Sequence, residues 1–205
     1  MRRRLFALML SLLPLAGCID ADLTLDFQGE QAVETVLDLR IGRELFDLAG
    51  KSPEEMCKGG TATVGVEAVT CVQRRTTPLD EFIAEAERRA GADPADRLRN
   101  AARVERLDDR RLRVTLDFAG MTDAAGPEAA QARQVAGLMR AALAGHSLVF
   151  RIRAPRIEAT TGTLSADGKA AEMVVPLAAL MSDSAPQPFV TTLALKSCWF
   201  GLFCF

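Results

Sequence analysis

Residues 20–41, DADLTLDFQGEQAVETVLDLRI, decide how the rest of the chain is read. Leu23, Leu25 and Phe27 alternate with Asp22, Thr24 and Asp26, the period of a half-buried strand. Gln28-Gly29-Glu30 reads as a hairpin turn, and AVETVLDLRI returns as a second strand. An antiparallel hairpin is a seed for a sheet, so every later segment is tested for whether it adds a strand or covers a face.

Moving toward the C-terminus, SPEEMCKGG (52–60) carries helix grammar: Ser52 as N-cap, Pro53 at the first position, Glu55 in the capping box and Gly59 past the end. Val64, Val66 and Val69 mark strand. TPLDEFIAEAERRAG (77–91) repeats the grammar, with Thr77 as cap, Pro78 as opening residue and Gly91 as close. Leu79, Phe82, Ile83 and Ala86 fall on one face of that helix. RVERLDDRRLRVTLDFAG (103–120) reads as a hairpin turning at Asp108-Asp109, with Leu112, Val114, Leu116 and Phe118 pointing one way. An alanine-rich helix follows in 127–145, striped by Val135, Leu138, Met139, Ala142 and Leu143. The last quarter returns to strand at 147–155, 157–168, 170–177 and 188–196, with Asp167-Gly168 making a turn. Strands outnumber helices and are joined mostly by hairpins. The expected class is α+β: an antiparallel sheet with two or three helices packed on one face, in a single domain over 18–205.

Residues 147–177, SLVFRIRAPRIEATTGTLSADGKAAEMVVPL, run as strand, proline, glycine-centred strand, turn and closing strand. This resembles the domain of LppM-type lipoproteins, and the first two strands and the start of the chain fit the same pattern. The resemblance implies a lipid-anchored α/β domain facing the cell envelope, with lipid or glycolipid as the ligand. Two features differ from that pattern: Met173 stands where an aromatic is expected, and the chain ends in CWFGLFCF rather than in a membrane helix.

The N-terminus, MRRRLFALMLSLLPLAGC, has the charged start and short apolar run of a secretion signal, too short to span a bilayer. It closes on Leu15-Ala16-Gly17-Cys18, which matches the bacterial lipobox. Residues 1–17 are therefore expected to be removed and Cys18 to be lipidated. Two or more acyl chains anchor a protein stably, at about 0.8 kcal/mol per buried methylene. Ile19, rather than an aspartate, follows the cysteine, which leans the expected location toward a periplasm-facing outer-membrane lipoprotein.

Loss of the three signal arginines takes the net charge from −2 to −5, which argues against a nucleic-acid partner. Four cysteines remain beyond Cys18, and three pairings are open to them in an exported protein. The local pairing is favoured: Cys57–Cys71 closes a loop worth about 3 kcal/mol, and Cys198–Cys204 a smaller one worth about 2 kcal/mol. Zinc is the rival, but the spacings lack paired knuckles. No metal and no cofactor are expected.

The motifs propose no reaction. The single histidine, His146, adjoins Ser147, and neighbouring side chains at a helix end diverge; its ordinary place is the C-terminus of the alanine-rich helix. No nucleophile elbow, P-loop or dinucleotide fingerprint occurs. Asp108-Asp109 and Glu54-Glu55 have turn and cap positions of their own. No catalytic residue is assigned, and the chain is expected not to be an enzyme.

Two features point to contacts instead. Arg151 and Arg153 share one strand face, as do Arg111 and Arg113; if their strands share a sheet, they form a basic patch for phosphate headgroups or an acidic partner. The alternative is a solvated face neutralised by Asp117 and Glu158. The tail buries Trp199, Phe200, Leu202, Phe203 and Phe205 somewhere: over the domain's own core, in the membrane, or in a partner. Two functions follow. One is a lipid-anchored module binding a lipid, glycolipid or other apolar ligand between sheet and helices; the other is a structural or assembly lipoprotein docking another envelope protein.

Overall fold

The computed structural model describes residues 19–90, 102–118, 140, 143–180, 182, 185–196, 198–199 and 203–204. The opening hairpin is formed as its alternation requires. Strands β1 (Ile19–Gln28) and β2 (Ala32–Gly42) pair antiparallel with Leu23 opposite Leu37, Leu25 opposite Thr35 and Phe27 opposite Val33. Gly29 turns the chain at φ +67°, and a Cβ there would come within 3.3 Å of the Leu195 carbonyl oxygen. That position therefore requires glycine for both conformation and space.

Beyond β2 come helices α1 (Arg43–Ala49) and α2 (Pro53–Met56). The capping box of α2 is present as expected: the Glu55 amide donates to Ser52 Oγ, and the Ser52 amide donates to the Glu55 carboxylate, each at 3.1 Å. Helix α1 has no side-chain cap, which is why the sequence grammar passes over it. Its Phe46 is buried, so tertiary packing holds it.

Strands β3 (Thr61–Val64) and β4 (Ala68–Pro78) form the next hairpin, and α3 (Leu79–Ala90) follows directly. Thr77 and Pro78, expected to cap and open this helix, instead end β4. Thr77 lies opposite Val33 in the ladder and is buried, so the β2 partner holds it in extended conformation. The apolar face of α3 is as expected, with Leu79, Ile83 and Ala86 buried and Phe82 packed against them. Gly91 and the alanine-rich helix residues Val135, Leu138, Met139 and Ala142 lie outside the described residues.

The remaining strands are β5 (Ala102–Asp108), β6 (Arg111–Leu116), β7 (Ser147–Arg153), β8 (Arg156–Thr160), β9 (Thr163–Leu164), β10 (Ala170–Pro176) and β11 (Phe189–Ala194), with the one-turn helix α4 (Leu177–Leu180) after β10. A short ribbon joins β12 (Cys198–Trp199) to β13 (Phe203–Cys204).

The single expected sheet is in fact two. A seven-stranded sheet runs β3-β4-β2-β1-β7-β10-β9 and a four-stranded sheet runs β5-β6-β11-β8. Every pairing is antiparallel except β1 with β7, which is parallel. The apolar face of the large sheet is thus covered by a second sheet as well as by α3. Phe27, Val33, Ile152 and Val175 from the large sheet share one core with Leu112, Val114, Phe189 and Leu193 from the small sheet.

Residues 147–176 join the two layers. The chain leaves the large sheet after β7, turns at Pro155, contributes β8 to the small sheet, and returns through Gly162 to β9 and β10. At Gly162 the layers approach so closely that a Cβ would overlap the Glu172 carbonyl oxygen and lie 2.7 Å from the Phe189 ring. Thr191, fully buried in β11, shares its hydroxyl with Thr160 of β8 at 3.1 Å, so the polar atom is satisfied inside the core.

Candidate functional site

Among the described residues, a groove opens between the inner face of the large sheet and α3. Ladder register sets Leu23 of β1 beside Leu37 of β2, then Gln73 of β4, all on the inner face. The next row is Leu25, Thr35 and Arg75. Helix α3 crosses above and supplies Phe82, Glu85 and Ala86, while Ala102 of β5 and Leu116 of β6 close the far side. The space enclosed is about 330 Å³, at the lower end of the roughly 300–1,000 Å³ of small-molecule sites.

Leu23, Leu25, Leu37, Phe82 and Ala86 supply its apolar surface, with Thr35 and Gln73 among them. Phe82 is held in place by an edge-to-face contact with the buried Phe27, centroids 6.0 Å apart at 87°. The rim is polar. Arg75 reaches Glu85 at 3.4 Å and Glu81 at 4.0 Å, and Arg74 reaches Glu34 at 3.4 Å. These exposed pairs are weak, so a guanidinium can exchange its carboxylate for the anionic head of a ligand at little cost. An apolar trough with charge at one lip suits an amphiphile.

A second hollow, about 420 Å³, lies among Asp108, Arg111, Arg156, Glu158 and Lys196 on the outside of the small sheet. Most of the side chains that line it are charged, and its ions answer one another: Arg111 contacts Asp108 at 2.7 Å and Glu158 at 3.9 Å. The hydrogen bond from Arg111, reinforced by the Arg110 amide, holds the Asp108 carboxyl below its ordinary range, and the same contact raises Arg111. The groove under α3 is the better candidate for an apolar ligand because leucines, alanines and a phenylalanine line it.

The arginines whose strands had to share a sheet to make one basic patch are separated. Arg111 and Arg113 belong to β6 of the small sheet, and Arg151 and Arg153 to β7 of the large one. The patch required those strands to be neighbours, and neighbour choice is set by the long-range ladder. Arg113 pairs with Glu105 at 3.3 Å. Arg151 bridges Glu172 at 2.6 Å and Asp22 at 3.3 Å; the hydrogen bond it donates to Glu172 is the main cause of its raised pKa. Glu158 does act as a neutralising partner, as the alternative reading has it.

Cys57 and Cys71 form a disulfide, with Cα atoms 5.5 Å apart and both residues buried, so the pairing expected from local spacing holds there. Cys198 and Cys204 are opposite one another in the β12–β13 ladder, as are Trp199 and Phe203. Cys18, Phe200, Leu202 and Phe205 lie outside the described residues.

His146 has a partner that sequence reasoning missed. Asp20 Oδ2 lies 3.3 Å from its Nδ1, while Asp20 Oδ1 accepts the Ser147 amide at 3.0 Å. Asp20 thereby fixes the entry of β7 alongside β1. The two residues are 126 apart in the chain, so no local signal joins them. The groove was likewise missed in detail, although Phe82 and Ala86 were marked as one helix face. Among the described residues, no helix is long and apolar enough to cross a membrane.

The described residues form a mixed α/β domain built on two sheets. No family model matches the chain, and no curated protein matches it. Among solved structures it is similar to the folded domain of Mycobacterium tuberculosis LppM, determined by NMR. That match has a TM-score of 0.48 and 9% identity, over 86% of this chain and 90% of that one.

Proposed function

We propose that this protein is a periplasm-facing lipoprotein, held to a membrane by acylated Cys18, whose domain binds a lipid or other apolar ligand in the groove beneath α3. The observation that carries the reading is the groove itself: Leu23, Leu25, Leu37 and Phe82 form an apolar trough with Arg75 at its lip. The same inner face continues through the half-buried Ala21, Leu39, Ile19 and Ile41 toward the end where β1 begins. An acyl chain fits the trough and an anionic or polar head meets the rim. No catalytic step is assigned. The residue after Cys18 is Ile19, which favours the outer membrane as the location.

Native mass spectrometry of protein purified from its own host tests the reading. The expected result is a bound apolar species released on unfolding. Leu37→Arg should abolish it with little loss of stability, because Leu37 is only half-buried. A ligand-free protein that co-elutes with another envelope protein would replace this reading with the docking one, and a ligand retained in full by Leu37→Arg would refute the groove as its site.

A further inference from the structure

Strand β1 starts at Ile19, already paired with Ile41. The proposed lipid-bearing residue, Cys18, is covalently next to it, one Cα–Cα step of about 3.8 Å away. The domain therefore has no linker between its sheet and its anchor. Whatever stands at this end of the large sheet is held at the bilayer surface.

The ladder identifies what stands there. Ile19 lies opposite Ile41, Ile41 opposite Val69, and Val69 opposite Val64. The β3–β4 hairpin thus turns at the anchored end, through Gly65, Val66 and Glu67. Helix α1 begins at the same place, its Arg43 amide bonded to the Glu67 carbonyl at 2.9 Å. Five large apolar side chains are exposed among the described residues, and three of them belong to these two segments: Val66 at 95% and Val64 at 51% in the hairpin, and Leu48 at 80% in α1. Water is a poor environment for such a cluster, whereas lipid a few ångströms away is a good one.

We infer that Val64, Val66 and Leu48 form a membrane-inserting tip, which enters the leaflet that holds the Cys18 lipid and fixes the tilt of the domain. The inference rests on the lipid anchor proposed above but not on the groove. Charge does not drive the insertion. Arg40, Arg43 and Lys51 in these segments are outnumbered by Asp20, Glu44, Asp47 and Glu67, so contact should gain nothing from anionic lipid.

The test uses the mature lipidated chain, with Leu and Val methyls isotopically labelled, in phosphatidylethanolamine–phosphatidylglycerol nanodiscs carrying a spin label high on the acyl chain. Leu164, exposed in β9, is the control. It aligns with Leu25 through Ala171 and Ile152, six residues beyond Ile19, or roughly 20 Å along the strand. Paramagnetic broadening falls with the sixth power of distance. Methyls of Val66, Val64 and Leu48 should therefore broaden at least about tenfold more than Leu164 across that separation. Equal broadening, or more at Leu164, overturns the inference while leaving the anchor intact. An N-terminal peptide whose mass lacks a diacylglycerol overturns the anchor, and the inference with it.

Discussion

Replacing Gly162 with alanine tests whether the two sheets are joined as the structure shows. The new Cβ would overlap the Glu172 carbonyl oxygen and sit 2.7 Å from the buried Phe189 ring. The carbonyl cannot swing aside, because Glu172 is paired on both sides, to Arg151 of β7 and to Thr163 of β9. Overpacking of a tight core costs about 1–3 kcal/mol, and a backbone obstacle places this site at the upper end. Loss of unfolded-state freedom on changing glycine to alanine returns up to about 1 kcal/mol. The net loss is about 2 kcal/mol, a fall in Tm of roughly 4–8 °C for a chain of this size. Gly168→Ala is the comparison: its φ is +67° but nothing lies within 4 Å of the added carbon. There the left-handed penalty of about 1–2 kcal/mol is only partly offset by the same entropy gain, which leaves a net loss of about 1 kcal/mol. Thermal melts followed by far-UV circular dichroism should therefore show Gly162→Ala clearly less stable than Gly168→Ala. The reverse order, or an unchanged Tm for Gly162→Ala, would refute the close crossing at β8–β9.

The Cys57–Cys71 bond, spanning 14 residues, should contribute about 3 kcal/mol; the double alanine variant should melt roughly 6–12 °C lower. Cys198 and Cys204, opposite in the ribbon, should appear as one linked peptide in a non-reducing digest, and a Cys57–Cys198 peptide would contradict that pairing. Asp108 has its pKa lowered below the ordinary 3.8 by Arg111, so its contribution to stability is complete above that value and is lost as pH falls through the folded pKa. Asp108→Asn should accordingly be less stable than the parent at neutral pH and equal to it in strong acid. A difference that persists in acid would mean that the turn, not the charge, is responsible.

Features that depend on neighbours in the chain were legible in the sequence. Alternation through Leu23, Leu25 and Phe27 with a glycine turn suffices for the β1–β2 hairpin, since period and turn specify register together. Ser52, Pro53 and Glu55 define the start of α2 within four residues. The Asp167-Gly168 turn is equally local: Asp167 accepts from Ser165 Oγ at 2.6 Å and from the Lys169 amide at 3.1 Å, and Gly168 supplies the positive φ. The apolar stripe of α3 was also visible, although not the sheet and strands it covers.

Tertiary structure decided which strands pair. Alternation shows that Val114 and Ile152 are half of a buried pattern, but it says nothing about which sheet either joins. That choice put Arg113 and Arg151 in different sheets, so the condition for a shared basic patch is not met. It also overruled local grammar at Thr77 and Pro78, where a ladder to β2 outweighs a helix cap. The parallel β1–β7 pair brings Asp20 to His146, and the crossing of β5, β6 and α3 over Leu23 and Leu37 leaves the groove. Each of these is a contact between residues far apart in the chain, formed by burying apolar faces against whichever partner fits. A one-dimensional pattern encodes the faces but leaves their partners to the fold.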